Sequence, residues 1–173
     1  MEKEVKRGEY VGIALERGIL QVASVLAVSL LGAVFAPVDI KQPFERQIKI
    51  VDNLKAKIII LEIQNKKLRN RYRDNALILE DVSPNSNKII IDCDKNPDDV
   101  AYIIHTSGTT GVPKGVSITH KSAYNTIHDI NTRFKVKTEQ VFLSVSKLAF
   151  DLSIYDLFGC FDRGGTLVLP NEE

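Results

Sequence analysis

From residue 19 to residue 38 the chain carries no charged side chain, and what flanks this run decides what it can become. A run of that length is just long enough to cross a bilayer. Gln21, Ser24 and Ser29 lie inside it, however, and Gly32 and Pro37 end a helix ahead of an extended segment at 35–38. A strand at 10–15 precedes it. The helical part, residues 18–33, is then too short to span and reads as a helix buried against a parallel sheet. Pro43 suits a first helical turn, where its missing N–H would be unpaired anyway, and it opens a second helix reaching about residue 56. The β-branched run Lys57-Ile-Ile-Ile-Leu61 follows as a strand. This is βαβαβ order, which predicts an α/β fold with a mostly parallel sheet and crossover helices.

A length of 173 residues with 44% hydrophobic side chains suits one folded domain with a sizeable core. With 23 basic and 22 acidic residues the net charge is +1, so no nucleic-acid partner is implied and any anion site must be local. Cys93 and Cys160 show neither a disulfide framework nor zinc spacing, and His105, His120 and His128 lack metal-ligand spacing. The histidines read mainly as structural. No signal peptide opens the chain, no membrane span is expected, and the composition fits a reducing, cytoplasmic setting.

Residues 62–97 are looser. The cluster Lys66, Lys67, Arg69, Arg71 and Arg73, flanked by Glu62, Asp74, Glu80 and Asp81, reads as a solvated helix face rather than a binding patch. Short apolar pieces at 76–79 and 88–91 follow, and Asn96-Pro97-Asp98-Asp99 is a turn. Further on, 121–134 reads as a helix whose apolar stripe, Ala123, Ile127, Ile130 and Phe134, faces the core. A strand at 141–145, a helix at 152–161 and a last strand leading to residue 169 complete the pattern.

Between strands at 100–105 and 115–120 lies Thr106-Ser-Gly-Thr-Thr-Gly-Val-Pro-Lys-Gly115. Gly108, Gly111 and Gly115 let the backbone bend and approach a ligand. Thr106, Ser107, Thr109 and Thr110 supply hydroxyls, and Lys114 supplies a positive charge. The spacing departs from G-x-x-x-x-G-K-[ST], because Val112 and Pro113 separate Gly111 from Lys114. A plain hairpin turn needs neither this length nor a lysine held behind a proline, so the segment reads as a polyphosphate cradle. Asp151, just after Phe150 at the start of a helix, can present a carboxylate to a cleft or cap the helix, and the two roles are compatible.

Three ordered segments resemble motifs of the AMP-forming adenylation enzymes, the superfamily of acyl-CoA synthetases, luciferases and nonribosomal peptide synthetase adenylation domains. Thr106 to Gly115 resembles the phosphate loop of that family. Leu31-Gly-Ala-Val-Phe-Ala-Pro-Val-Asp39 with Pro43-Phe-Glu-Arg46 resembles an early core motif, and Phe150-Asp-Leu-Ser-Ile-Tyr-Asp-Leu-Phe-Gly159 an aromatic-acidic motif of the amino-acid-activating branch. The resemblance runs through nearly the whole chain. It implies the N-terminal subdomain of the adenylate-forming fold, with residues 1–173 a partial AMP-binding domain truncated at both ends and without the small lysine-bearing C-terminal subdomain.

The same resemblance implies that ATP is held by Thr106, Ser107, Gly108, Thr109, Thr110, Gly111, Lys114 and Gly115. Asp151 would pair with a substrate α-ammonium group, and Leu152 and Tyr155 would line the side-chain pocket. Asp, Leu and Tyr at these places are similar to the opening of a cysteine-activating pattern. The magnesium-binding glutamate of the family, its ribose-binding aspartate and its catalytic lysine match nothing here, so no catalytic or metal-ligating residue is assigned. A carrier protein's phosphopantetheine thiol would receive the acyl group. The expected activity is aminoacyl-AMP formation by the larger domain, with the isolated chain inactive; a non-catalytic remnant and an acyl-CoA synthetase fragment are the alternatives.

Overall fold

The computed structural model describes residues 4–79, 96–106 and 113–170. The short apolar piece at 88–91 and residues 107–112 of the glycine segment lie outside them. Strands β1 (Tyr10–Ala14), β2 (Val34–Pro37) and β3 (Ile58–Glu62) alternate with helices α1 (Ile19–Leu30) and α2 (Phe44–Leu54). Helix α3 (Lys66–Arg71), β4 (Ala76–Leu79), β5 (Val100–Thr106), β6 (Lys114–Thr119) and α4 (His120–Arg133) follow. Then come β7 (Val141–Leu143), α5 (Leu152–Ile154), a wide π-type turn (Tyr155–Gly159), α6 (Cys160–Asp162) and β8 (Thr166–Val168). Six strands form one sheet in the order β4-β3-β1-β2-β5-β6. All pairings in it are parallel except β5 with β6, which is antiparallel. Strands β7 and β8 form a separate parallel pair.

The near-continuous apolar character of β1, β2 and β3 follows from burial on both faces. Val11 and Ile13 of β1, Phe35 of β2 and Ile58 and Ile60 of β3 pack with Val25 and Val28 of α1 and Ile127 of α4. The alternate residues Ala14, Val34, Ala36, Ile59 and Leu61 pack on the opposite side with Ile50, Val51 and Leu54 of α2 and Leu68 of α3. The period of two along each strand therefore serves two cores.

The uncharged run makes α1, β2 and the turn between them. Helix α1 has 12 residues, about 18 Å at 1.5 Å per residue, short of the ~30 Å of a bilayer core. Among the described residues no helix is long and apolar enough to cross a membrane. Only Ser24, Val25 and Val28 of α1 are buried, so it lays one side on the sheet rather than being enclosed. Gly32 takes the left-handed φ of +68° that turns the chain into β2. Pro43 stands at the N-cap of α2 rather than inside its first turn. The basic cluster lies largely on α3, where Arg71 pairs with Asp52 at 2.9 Å and Leu68 anchors the helix in the core.

The apolar stripe of α4 requires correction. Ile127 and Asn131 are its buried residues, Ala123 and Ile130 are half-buried, and Phe134, at the C-cap, is 72% exposed. One turn beyond Ile127 the helix faces the polar backbone of the π-type turn, and an amide satisfies that surface where a phenyl ring cannot. The strand expected at 141–145 pairs over only Val141–Leu143. Val141, Leu143 and Val168 of this two-stranded sheet are exposed.

Phe35 stacks on Tyr102 of β5, with ring centroids 5.4 Å apart, and on Phe158 of the π-type turn at 6.5 Å. Phe35→Ala is expected to lower the unfolding free energy by about 3–5 kcal/mol. Phe134→Ala should change it by no more than about 0.5 kcal/mol. Urea denaturation of the two variants measures the difference.

Candidate functional site

The glycine segment joins the two antiparallel strands of a hairpin, with Thr106 opposite Lys114 and His105 opposite Gly115. Of the expected phosphate-loop residues, Thr106, Lys114 and Gly115 are described, whereas Ser107, Gly108, Thr109, Thr110 and Gly111 lie outside the described residues. The Thr106 hydroxyl donates to the Lys114 carbonyl at 3.5 Å, a long contact, and the Lys114 side chain is exposed. A Cβ at Gly115 would stand 2.9 Å from Cγ2 of Ile103 and 3.2 Å from Nε2 of His105. The glycine there is required by the close approach of β6 to side chains of β5.

A cavity of about 700 Å³ opens beside this hairpin. Tyr102, His105 and Thr106 of β5, Arg46 of α2, and Asp151, Leu152 and Tyr155 all line it. Three of the sequence-derived substrate residues thus meet the first residue of the expected phosphate loop around one space. Lys114 and Gly115 are not among its lining residues.

The segment carrying Asp151 is held by its own motif. Ser153 is buried, and its hydroxyl lies 2.6 Å from the Phe150 carbonyl and 3.1 Å from the Leu148 carbonyl, drawing the preceding loop onto the helix. The Asp156 carboxylate accepts from the Ser146 N–H at 3.0 Å, and Arg17 donates to the carbonyls of Ser144 and Val145, so the loop is tied at several points. Ile154 and Leu157 bury in the core between these polar anchors. Asp151 itself accepts from the Leu152 N–H at 2.9 Å, the capping role, and its exposed carboxylate also lines the cavity.

Tyr155 is half-buried, and burial raises the pKa of its phenol. Its hydroxyl donates to Oδ1 of Asn131 at 3.0 Å. The Tyr102 hydroxyl is also raised, first by burial and then by the negative charge of Asp151. Burial and the neighbouring Arg46 cation together push the His105 pKa down. Its Nδ1 is buried and has no hydrogen-bond partner among the described residues.

The sequence marks none of Arg46, Tyr102 and Asn131 as a site residue, and His105 reads there as mainly structural. Arg46 belongs to a motif segment but carried no assigned role, and a lone buried Asn leaves no periodic signal. Arg46, His105 and Thr106 line the cavity together, and the permanent cation of Arg46 suits an anionic group such as a phosphate there. Among the described residues no three His, Cys, Asp or Glu side chains cluster as a metal site.

A family model described as "AMP-binding enzyme" matches residues 1–173. The chain is 37% identical over 172 residues to the "Anguibactin system regulator" of Vibrio anguillarum, covering 99% of this chain and 16% of that protein. It is 37% identical over 172 residues to "Pyochelin synthetase PchE" of Pseudomonas aeruginosa, covering 99% of this chain and 12% of that one. The chain therefore spans a small fraction of the length of these relatives. Its fold matches the AMPPNP-bound crystal structure of the nonribosomal peptide synthetase FmoA3 (S1046A) with a TM-score of 0.83 and 30% identity, over 96% of this chain and 18% of that one.

His105 generates a pH dependence. Its lowered pKa in the fold means that the unfolded chain takes up the proton first as pH falls, so its contribution to stability is complete above its ordinary value of 6.5 and is lost below it. Thermal midpoints are expected to decline as pH drops below about 6.5. In His105→Gln that part of the decline should be absent.

Proposed function

The chain belongs to the AMP-binding enzyme family, and from that premise we propose that it is the part of an amino-acid-activating domain of nonribosomal peptide synthesis that grips ATP and reads the amino acid. The observation carrying this reading is the shared cavity. Asp151, Leu152 and Tyr155 line the same space as Thr106, at the mouth of the glycine hairpin.

In this reading the phosphates of ATP, accompanied by magnesium, are held by the segment from Thr106 to Gly115, with Lys114 supplying charge and Thr106, Ser107, Thr109 and Thr110 supplying hydroxyls. ATP supplies an α-phosphorus for the amino-acid carboxylate, so that a carboxylate–phosphate bond forms as the bond to pyrophosphate breaks. The chain's own part is binding and orientation. Asp151 accepts hydrogen bonds from the α-ammonium group, directing the carboxylate towards the hairpin end of the cavity, while Leu152 and Tyr155 contact the side chain.

The side chain we assign is that of cysteine, on the Asp151, Leu152 and Tyr155 pattern. The acyl group then passes to the phosphopantetheine thiol of a carrier protein, a cytoplasmic assembly-line step. The groups that complete catalysis belong to the remainder of such a domain, so the isolated chain is expected to bind ligands without amino-acid-dependent pyrophosphate exchange.

Removing a charge-assisted hydrogen bond costs about 1.5–3 kcal/mol, roughly ten- to a hundredfold in affinity. Asp151→Asn should weaken amino-acid binding by that factor and leave AMPPNP binding unchanged, and Lys114→Ala should do the reverse. Titrations of the isotope-labelled chain followed by NMR measure both. Equal amino-acid affinity in Asp151→Asn and the unaltered chain would sink the assignment.

A further inference from the structure

Asn131 is 1% exposed on a helix that is otherwise mostly exposed, and three hydrogen bonds of its amide are directed at one helical segment. Its Nδ2 donates to the Gly159 carbonyl at 3.2 Å and to Oδ2 of Asp162 at 3.0 Å, while its Oδ1 accepts from the Tyr155 hydroxyl at 3.0 Å. These partners leave one orientation of the amide. Turned over, it would set its oxygen against the Gly159 carbonyl and the Asp162 carboxylate, which are both acceptors. The acceptor offered to Tyr155 is thus fixed in place by the far end of the same helical segment.

The ring of Tyr155 is located from two other directions. A Cβ at Gly159 would stand 2.6 Å from Cε2 and 2.7 Å from Cδ2 of Tyr155, so the ring lies directly on the glycine. Phe142 of β7 meets it at 6.2 Å in a tilted contact. The wide turn between Tyr155 and Gly159 brings these groups into register, as such turns often do at functional sites.

We propose that Asn131 is a positioning residue for amino-acid selection: by holding the Tyr155 hydroxyl it fixes the placement of a ring that forms part of the wall of the 700 Å³ cavity, and so which side chains fit. This rests on the amino-acid-binding reading of that cavity. A buried amide that only stabilised the fold would leave selectivity untouched, whereas one that fixes a pocket wall governs the ratio of affinities between ligands of different size.

The test compares Asn131→Leu, Tyr155→Phe, the double variant and Gly159→Ala in the 173-residue chain. NMR titration with cysteine, valine, phenylalanine and AMPPNP is run beside thermal denaturation. Tyr155→Phe keeps the ring and removes only the bond to Asn131, so it remains informative if Asn131→Leu folds poorly. Both single variants should shift the cysteine-to-phenylalanine affinity ratio by about tenfold, the scale on which apolar pockets discriminate size. The double variant should add nothing to either, and AMPPNP affinity should hold. Gly159→Ala, whose added Cβ must displace the Tyr155 ring, should likewise shift the cysteine-to-phenylalanine ratio. If all amino acids weaken together and their ratios stay constant, Asn131 is structural only and the proposal is overturned while the cavity reading stands. If the unaltered chain binds no amino acid, the cavity reading fails and the proposal fails with it.

Discussion

At the stack of Phe35 on Tyr102 and Phe158, three parts of the structure meet within one core. Phe35 lies on β2 within the N-terminal βαβαβ unit, Tyr102 on the first strand of the glycine hairpin, and Phe158 on the wide turn that follows Asp151. The ladder between β2 and β5 has a single registered pair, Phe35 with Tyr102, so side-chain packing carries the connection that backbone pairing makes only briefly. Two aromatic contacts, each of about 0.5–1.5 kcal/mol beyond the area they bury, help to hold the hairpin and the helical segment after Asp151 on one scaffold. The cavity exists because these three elements are fixed to one another.

The polar groups around that cavity divide by where they sit. Towards the hairpin end stand Arg46, His105 and Thr106, where burial and the Arg46 cation favour the neutral form of the imidazole. Towards the helical end stands Asp151, whose charge is felt by Tyr102 on the sheet between the two ends. A zwitterionic amino acid and a phosphate make complementary demands on such a gradient: the ammonium seeks the carboxylate and the anions seek the cation.

Much of the scaffold was legible because the strands are buried on both faces, which writes them as apolar runs that need no partner to be recognised. The uncharged stretch 19–38 was correctly divided into a helix and a strand by Gly32 and Pro37, whose backbone preferences are local. Phe134 and Asn131 show where that reading fails. The apolar stripe of α4 placed Phe134 in the core, yet the helix presents that end to solvent and buries the amide of Asn131 instead. Periodicity ranks residues by hydrophobicity. It cannot register that a neighbouring turn exposes a carbonyl and a carboxylate that need donors.

The sequence by itself determined the α/β order, the place of the glycine segment between two strands, and the family resemblance of the three motifs, because these depend on local backbone preference and residue spacing. Only the tertiary structure decided that the glycine-loop strands pair antiparallel at the end of a parallel sheet, that Thr106 shares a cavity with Asp151, Leu152 and Tyr155, and that Gly115 serves strand packing. It likewise decided that Arg46, His105 and Asn131 belong to the site's surroundings. Those relations join residues up to more than a hundred positions apart, and only the packing of β2, β5 and the helical turns around Phe35 brings them within reach of one another.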